Sequence, residues 1–150
     1  MAKPWIQRNR RAAYGWLITE RARLHEKFPS FMAQVDGDRL AARGKLQPTE
    51  LSPPYKVKIT YRYGDNPKVW VVEPKIPYES AIHMYVSDNS LCLYDWREQP
   101  WKESYHLYDT ILPWAAEWLL YYEIYKLTGK WIGTSALHGT PKEEPEVADE

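Results

Sequence analysis

The feature that most constrains the fold is a strict alternation of apolar and polar residues over residues 55–63. The apolar and aromatic residues are Tyr55, Val57, Ile59, Tyr61 and Tyr63, and the polar residues between them are Lys56, Lys58, Thr60 and Arg62. Successive side chains of a strand point to opposite faces of a sheet, so this pattern predicts a strand with one buried face and one solvated face. Residues 64–67, Gly-Asp-Asn-Pro, are typical of a turn, and residues 68–72 predict the next strand. The two strands should form an antiparallel hairpin.

Helices are predicted on both sides of this hairpin. The first covers about residues 10–28, with Asn9 as its N-cap and with apolar residues near one face. The second covers about residues 112–127, where apolar and aromatic side chains occupy much of the circumference and Gly129 is a suitable terminator. We expect this second helix to pack centrally.

The remaining segments complete the predicted α+β fold. Residues 39–46 indicate a first strand, weakened by Gly44. Residues 74–101 show no strong periodicity, and so long an irregular segment in a compact domain is usually functional. The order is an N-terminal helix, an antiparallel meander of about three strands, a long loop and a C-terminal helix packed on the sheet. One domain spans residues 1–139, and the acidic residues 140–150 are predicted to be a disordered tail.

Composition excludes several classes of function. Twenty basic and twenty acidic residues cancel, so no net charge favours nucleic acid. A single cysteine excludes an internal disulfide and a thiolate-rich metal site, and four scattered histidines show no metal-ligand spacing. We expect neither a metal nor a cofactor. Without an apolar run of membrane-spanning length or a secretory h-region, a cytoplasmic protein is expected.

The one cysteine, Cys92, lies in the long loop within the stretch N-S-L-C-L-Y-D-W-R-E-Q-P-W. A lone cysteine in a cytoplasmic protein is most often a small packed apolar residue. A catalytic role therefore needs support from the residues around it.

That support comes from an ordered set of residues that resembles the ubiquitin-conjugating enzymes over about residues 10–127. The hairpin Y-K-V-K-I-T-Y-R-Y-G-D-N-P-K-V-W-V is followed by His83, which precedes Cys92 by nine residues. Cys92 lies in S-L-C-L-Y, Trp101 follows it by nine residues, and a helix comes next. The segment L-P-W-A-A-E-W-L-L-Y-Y-E, with T-G-K-W-I-G behind it, is similar to the short bacterial form found in type II short CBASS antiphage operons.

Two departures from the family pattern accompany this resemblance. The family's His-Pro-Asn motif reads His83-Met84-Tyr85 here. The family's asparagine helps to hold the active-site loop and to stabilise an oxyanion, so Tyr85 stands where that role is expected. The last two helices of the family are also missing from the predicted pattern.

The resemblance implies that Cys92 accepts the C-terminal carboxyl of a partner protein as a thioester and passes it to an amine. The implied partner is a cyclic-nucleotide synthase of the cGAS-like class. His83 would organise the loop, and the Tyr85 hydroxyl or a loop N–H would stabilise the oxyanion. The amine could be oriented by Asp88, Asp95 or Glu98.

Further partner contacts are expected outside the catalytic set. In the family the first helix meets the activating enzyme, which makes Arg10 and Arg11 candidate contacts. Asp95 and Trp96, three and four residues after Cys92, are candidates for binding the partner, with loop clamping as the alternative for Trp96.

Three alternatives remain open at this stage. Water could replace the amine as acyl acceptor. The chain could be an inactive binding module of the same fold that holds a partner's C-terminal tail. It could also work with a ubiquitin-like protein and a separate activating enzyme.

Overall fold

A computed structural model describes the backbone of residues 4–133 and the side chains of residues 10–133. The elements, in chain order, are α1 (Pro4–Lys27), β1 (Met32–Asp36), β2 (Arg39–Leu46), β3 (Tyr55–Arg62), β4 (Lys68–Glu73), a short 3₁₀ turn (Ser80–Ile82) and α2 (Ile111–Thr128). This is the predicted α+β order of helix, antiparallel meander, long loop and helix. The predicted acidic tail, residues 140–150, lies outside the described residues.

The sheet is a four-stranded antiparallel meander in the order β1-β2-β3-β4. Tyr55, Val57, Ile59 and Tyr61 of β3 are buried, and the residues between them are more exposed. The alternation in the sequence therefore predicted both the strand and the face that it buries. Beneath that face, α1 packs against β1 and β2.

Two boundaries differ from the prediction. Strand β1 was not predicted, because its five residues are at most half-buried and give only a weak alternation at the sheet edge. Helix α1 begins at Pro4, so Asn9 lies inside the helix and is not its N-cap. Proline suits a first helical position because its missing N–H would have no partner there.

Gly44, which weakened the prediction of β2, is required by packing. A Cβ atom at this position would overlap the ring and the backbone of Phe31, which is fully buried. The glycine allows Phe31 to enter the core directly against the strand.

Helix α2 is buried over its first half and half-exposed beyond it. Its buried residues are Ile111, Leu112, Ala115, Trp118 and Leu119. Farther along, Glu123 accepts hydrogen bonds from the Tyr55 hydroxyl at 2.9 Å and the Ser52 hydroxyl at 2.8 Å, which fix the helix to the start of β3. The prediction of a central helix holds for the first half of α2. Within residues 4–133 no helix is both long enough and apolar enough to span a membrane.

A buried polar pair joins α1 to the segment before α2. Glu20 and His106 each expose 2% or less of their surface, and their side chains are 2.6 Å apart. Glu20 also accepts a hydrogen bond from the backbone N–H of Leu107 at 3.1 Å. The sequence pattern had placed no acidic residue in the core.

Candidate active site

Cys92 lies on a short hairpin, residues 83–92, called here the Cys92 hairpin. The Cys92 N–H donates to the carbonyl of His83 at 3.0 Å, and Met84 forms an antiparallel bridge with Leu91. The Leu91 N–H donates to the carbonyl of Val69 in β4 at 2.8 Å. The spacing of nine residues between His83 and Cys92 therefore makes them cross-strand partners, and the hairpin is attached to the edge of the sheet.

The tip of the Cys92 hairpin is held by Asp88. Its carboxylate accepts hydrogen bonds from the N–H and hydroxyl of Ser90 at 2.9 and 2.6 Å and forms an ion pair with Lys68 at 2.7 Å. Its carbonyl accepts the Trp70 indole N–H at 3.0 Å. Burial opposes ionisation, but the bonds from Lys68 and Ser90 hold the pKa of Asp88 below its ordinary value. Asp88 therefore fixes the loop, and these bonds occupy the carboxylate that was a candidate to orient the amine.

His83 is positioned to organise the loop through its backbone and its ring. It adopts a left-handed conformation with φ of 54° at the end of the 3₁₀ turn. Its carbonyl accepts both the Cys92 N–H and the indole N–H of Trp118, the latter at 3.0 Å, and its ring stacks on Trp131 at 5.3 Å. Within residues 10–133 no hydrogen bond joins the imidazole to the thiol. The arrangement fits an organising residue rather than a general base.

The Cys92 thiol is half-buried beside two tyrosines. The carbonyl of Tyr94 accepts the Tyr85 hydroxyl at 3.1 Å and lies 3.9 Å from the Cys92 Sγ. Burial raises the pKa of Cys92 and the negative charge of Asp95 adds to this, while hydrogen bonding from Tyr85 opposes it. The result is a thiol that is mostly protonated at neutral pH and partly open to solvent.

Tyr85 remains a hydrogen-bond donor over the whole physiological range. Burial, and then its hydrogen bond with Cys92, raises the pKa of the Tyr85 phenol above its ordinary value. The hydroxyl is thus protonated and next to the thiol, where a donor to a developing oxyanion is needed.

A groove of about 430 Å³ lies between the turn that joins β3 to β4 and the Cys92 hairpin. Tyr85, Leu93, Tyr94 and Trp96 contribute aromatic and aliphatic surface to it. A cavity of this size with apolar walls and a few polar groups is typical of a binding site. Leu91 and Leu93, on either side of Cys92, line the groove whereas Cys92 does not, and Tyr85 is the lining residue that also acts on the thiol.

The residues that follow Cys92 form a capped turn. The Asp95 carboxylate accepts the Arg97 N–H at 3.0 Å, and its carbonyl accepts the Gln99 N–H at 2.7 Å. Trp96 is 43% exposed, with the Arg97 guanidinium 5.2 Å from its ring. Trp101, by contrast, is half-buried and donates its indole N–H to the Tyr61 hydroxyl at 3.2 Å. Trp101 clamps the loop, whereas Trp96 is available to a partner.

The structure does not bring Arg10 and Arg11 to this site. Both are exposed on α1, which packs on β1 and β2, whereas the Cys92 hairpin is attached to β4 at the opposite edge of the sheet. Their role as contacts to a partner remains a prediction about a separate surface.

Comparison with known proteins identifies the family. A family model described as "Type II CBASS E2 protein" matches residues 20–139, which is most of the chain and includes the whole Cys92 hairpin. The chain belongs to the type II CBASS E2 proteins. This membership indicates a role in CBASS antiphage defence together with other CBASS proteins. No curated protein matches the sequence.

In this CBASS E2 protein, two residues around the thiol were missed by sequence reasoning. Tyr94 supplies the carbonyl shared by Tyr85 and Cys92, and Trp118 on α2 fixes the carbonyl of His83. Trp118 is a long-range contact that no local pattern reveals. Tyr94 lies two residues after Cys92, but it contributes a backbone carbonyl. Any residue could supply that group, so the identity of residue 94 gives no signal. Among the described residues no cluster of His, Cys, Asp or Glu could hold a metal ion.

The raised pKa of Cys92 gives this CBASS E2 protein a testable pH dependence. We expect alkylation by iodoacetamide to accelerate with pH up to a midpoint above the ordinary cysteine value of about 8.5. Replacing Asp95 by asparagine removes the charge that disfavours the thiolate but keeps an oxygen that can cap the Arg97 N–H. It should lower the midpoint and speed alkylation at pH 7.5 by about threefold. Intact mass follows the reaction directly because the sequence holds one cysteine. An unchanged or slower rate in Asp95→Asn would contradict the assigned effect of Asp95.

Proposed function

We propose that Cys92 accepts the C-terminal carboxyl of a partner protein as a thioester and transfers it to an amine. The observation that carries the proposal is a partly buried thiol beside a protonated phenol that also lines a groove, in a chain of the type II CBASS E2 family. The resemblance to the ubiquitin-conjugating enzymes implies a partner of the cGAS-like cyclic-nucleotide synthase class.

The first step is exchange between thiols. The carboxyl arrives as a thioester on the thiol of an activating protein, and the Cys92 thiolate attacks its carbonyl carbon. The bond to the donor sulfur breaks, the donor leaves as a thiolate, and the acyl group is now bound to Cys92. A thiolate is a strong nucleophile and a good leaving group, so the small ionised fraction of Cys92 is sufficient. No base in contact with the thiol is needed.

The second step forms the amide. An uncharged amine attacks the thioester carbonyl, and the tetrahedral oxyanion accepts a hydrogen bond from the Tyr85 hydroxyl, whose proton turns from the Tyr94 carbonyl. The Cys92 thiolate then leaves, and the amine nitrogen loses a proton to solvent or to the nearby Asp95 carboxylate. The negative charge of Asp95, which raises the pKa of both Cys92 and Tyr85, supports this role.

The groove lined by Tyr85 suits the C-terminal tail of the donor. Its aromatic surface, with Tyr85 and Trp96, can contact side chains, and the polar residues of the β3–β4 turn can bind peptide groups. A folded domain would not enter a groove of about 430 Å³, whereas an extended tail of a few residues would.

A second candidate is a binding module that holds a partner's tail without chemistry. The raised pKa of Cys92 favours it, because a thiol that stays protonated is a poor nucleophile. So does tyrosine at the position of the family's asparagine.

A single substitution separates these two functions. The protein is incubated with the proteins encoded in its operon and ATP, and the products are separated on non-reducing gels. We expect an adduct that disappears with dithiothreitol and is absent from Cys92→Ala, with unchanged yield in the control Val86→Ala, an exposed residue of the same hairpin that does not line the groove. If Cys92→Ala binds the partner as well as the parent does and the parent forms no adduct, the binding module is the correct function.

A further inference from the structure

The outer face of the sheet, opposite the core, carries a dense set of cations. Its basic residues are Arg39, Arg43, Lys45, Lys56, Lys58, Arg62 and Lys68. On this face β1 to β4 contribute two carboxylates, Asp36 and Glu73, and both lie at the margins. A protein with no net charge therefore concentrates positive charge on one surface.

The register of β2 and β3 places these cations directly opposite one another. The pairs across the two strands are Arg39 with Arg62, Arg43 with Lys58, and Lys45 with Lys56. Like charges in directly opposed positions destabilise a sheet. Three such pairs in one ladder therefore destabilise this part of the sheet. Destabilising features of this kind are concentrated at functional sites.

Neighbouring carboxylates neutralise only part of the face. Lys56, Arg62 and Lys68 reach carboxylates at 2.7–3.2 Å. Within residues 10–133, however, Arg39, Arg43 and Lys45 form no ion pair with a carboxylate. The Lys58 ammonium instead lies over the Trp70 ring, 5.4 Å from the centre of the ring.

A shallow depression lies within this face. Its volume is about 450 Å³, and Ala41 and Thr60 are among its lining residues. Three cations, Arg39, Arg62 and Lys68, and two carboxylates, Asp36 and Asp65, also line it. Ala41 and Thr60 are opposed across β2 and β3, so small side chains leave room between the cations. The face can therefore receive side chains as well as attract charge.

We propose that this outer face binds an acidic, extended segment of a partner polypeptide. The basic ladder spans six residue steps of β2, or about 20 Å, which matches an extended segment of about six residues. Carboxylates at alternate positions of such a segment would face the cations and relieve the opposed charges. Nucleic acid fits less well, because the chain as a whole has no net positive charge to attract a long polyanion.

The test uses a fluorescein-labelled ten-residue peptide of alternating Glu and Thr, with a Gln-Thr peptide and a ten-nucleotide oligothymidylate as comparisons. In fluorescence anisotropy with the full chain, we expect the Glu peptide to bind in a salt-dependent way and the Gln peptide to bind at least tenfold more weakly. The double variant Arg43→Glu, Lys45→Glu should weaken the Glu peptide tenfold or more. Its Tm should rise by about 1–4 °C, because two like pairs become opposite pairs.

A matched control variant is Arg21→Glu, Lys130→Glu, which makes the same change in net charge at exposed positions outside the sheet. It should keep the peptide affinity within about twofold of the parent. Cys92→Ala should also keep it, so the proposal does not depend on catalysis. Absence of peptide binding, tighter binding of the oligothymidylate, or binding that emerges after removal of residues 140–150 would each overturn the proposal. The last result would assign the face to the chain's own acidic end.

Discussion

Replacing Tyr85 by phenylalanine should slow transfer of the acyl group from Cys92 to an amine by about 10²–10³, the usual loss when one oxyanion donor is removed. Formation of the Cys92 thioester should fall by only a few-fold. We expect this smaller loss because hydrogen bonding from the Tyr85 hydroxyl lowers the pKa of Cys92, so its removal reduces the fraction of Cys92 that is a thiolate. Single-turnover assays in which the preformed thioester is mixed with a lysine-containing acceptor measure the two steps separately.

The split between the two steps distinguishes catalysis from packing. Tyr78→Phe removes a hydroxyl from an exposed tyrosine of the same long loop and should leave both rates unchanged. If Tyr85 merely packs against the loop, Tyr85→Phe would alter both steps equally or neither. Either result would remove the oxyanion role from Tyr85.

The second large effect is on stability. Glu20→Ala should lower the free energy of unfolding by about 3–5 kcal/mol, because it breaks a buried polar pair and leaves two buried nitrogen donors without their acceptor. The substitution removes the acceptor of two groups, the His106 ring nitrogen at 2.6 Å and the Leu107 N–H at 3.1 Å. Urea denaturation at pH 7.5 measures the loss.

Two further variants make this result specific to the pair. Glu26→Ala, at an exposed position of the same helix, should change stability by no more than about 0.5 kcal/mol. A double-mutant cycle with His106→Ala should give a coupling energy of about 1–3 kcal/mol. Additive losses in the cycle would show that the two side chains act independently.

The elements that could be predicted from the sequence are those whose residues alternate between buried and exposed positions or are mostly buried. Tyr55–Arg62 was predicted because four of its residues are buried and the others face outward. Met32–Asp36 was missed because an edge strand with half-buried side chains leaves little pattern. Glu20 was missed because its burial depends on His106, a residue far away along the chain.

The residues of the candidate site could be predicted from the sequence, but their spatial arrangement could not. The interval between His83 and Cys92 matched a family pattern, yet the antiparallel pairing that produces the interval is a property of the fold. The Trp118 contact to His83 is long-range, and the Tyr94 carbonyl is a backbone group. Neither kind of contribution leaves a residue signature in a single sequence.

The most direct test of the account is the intact mass of the protein after incubation with its operon partners and ATP, quenched at low pH without reductant. The account predicts a species heavier by the mass of one partner chain less one water, cleaved by hydroxylamine and joined through Cys92 in peptide mapping. An adduct of that mass that also forms in Cys92→Ala, or no added mass while the partner is bound, would contradict it.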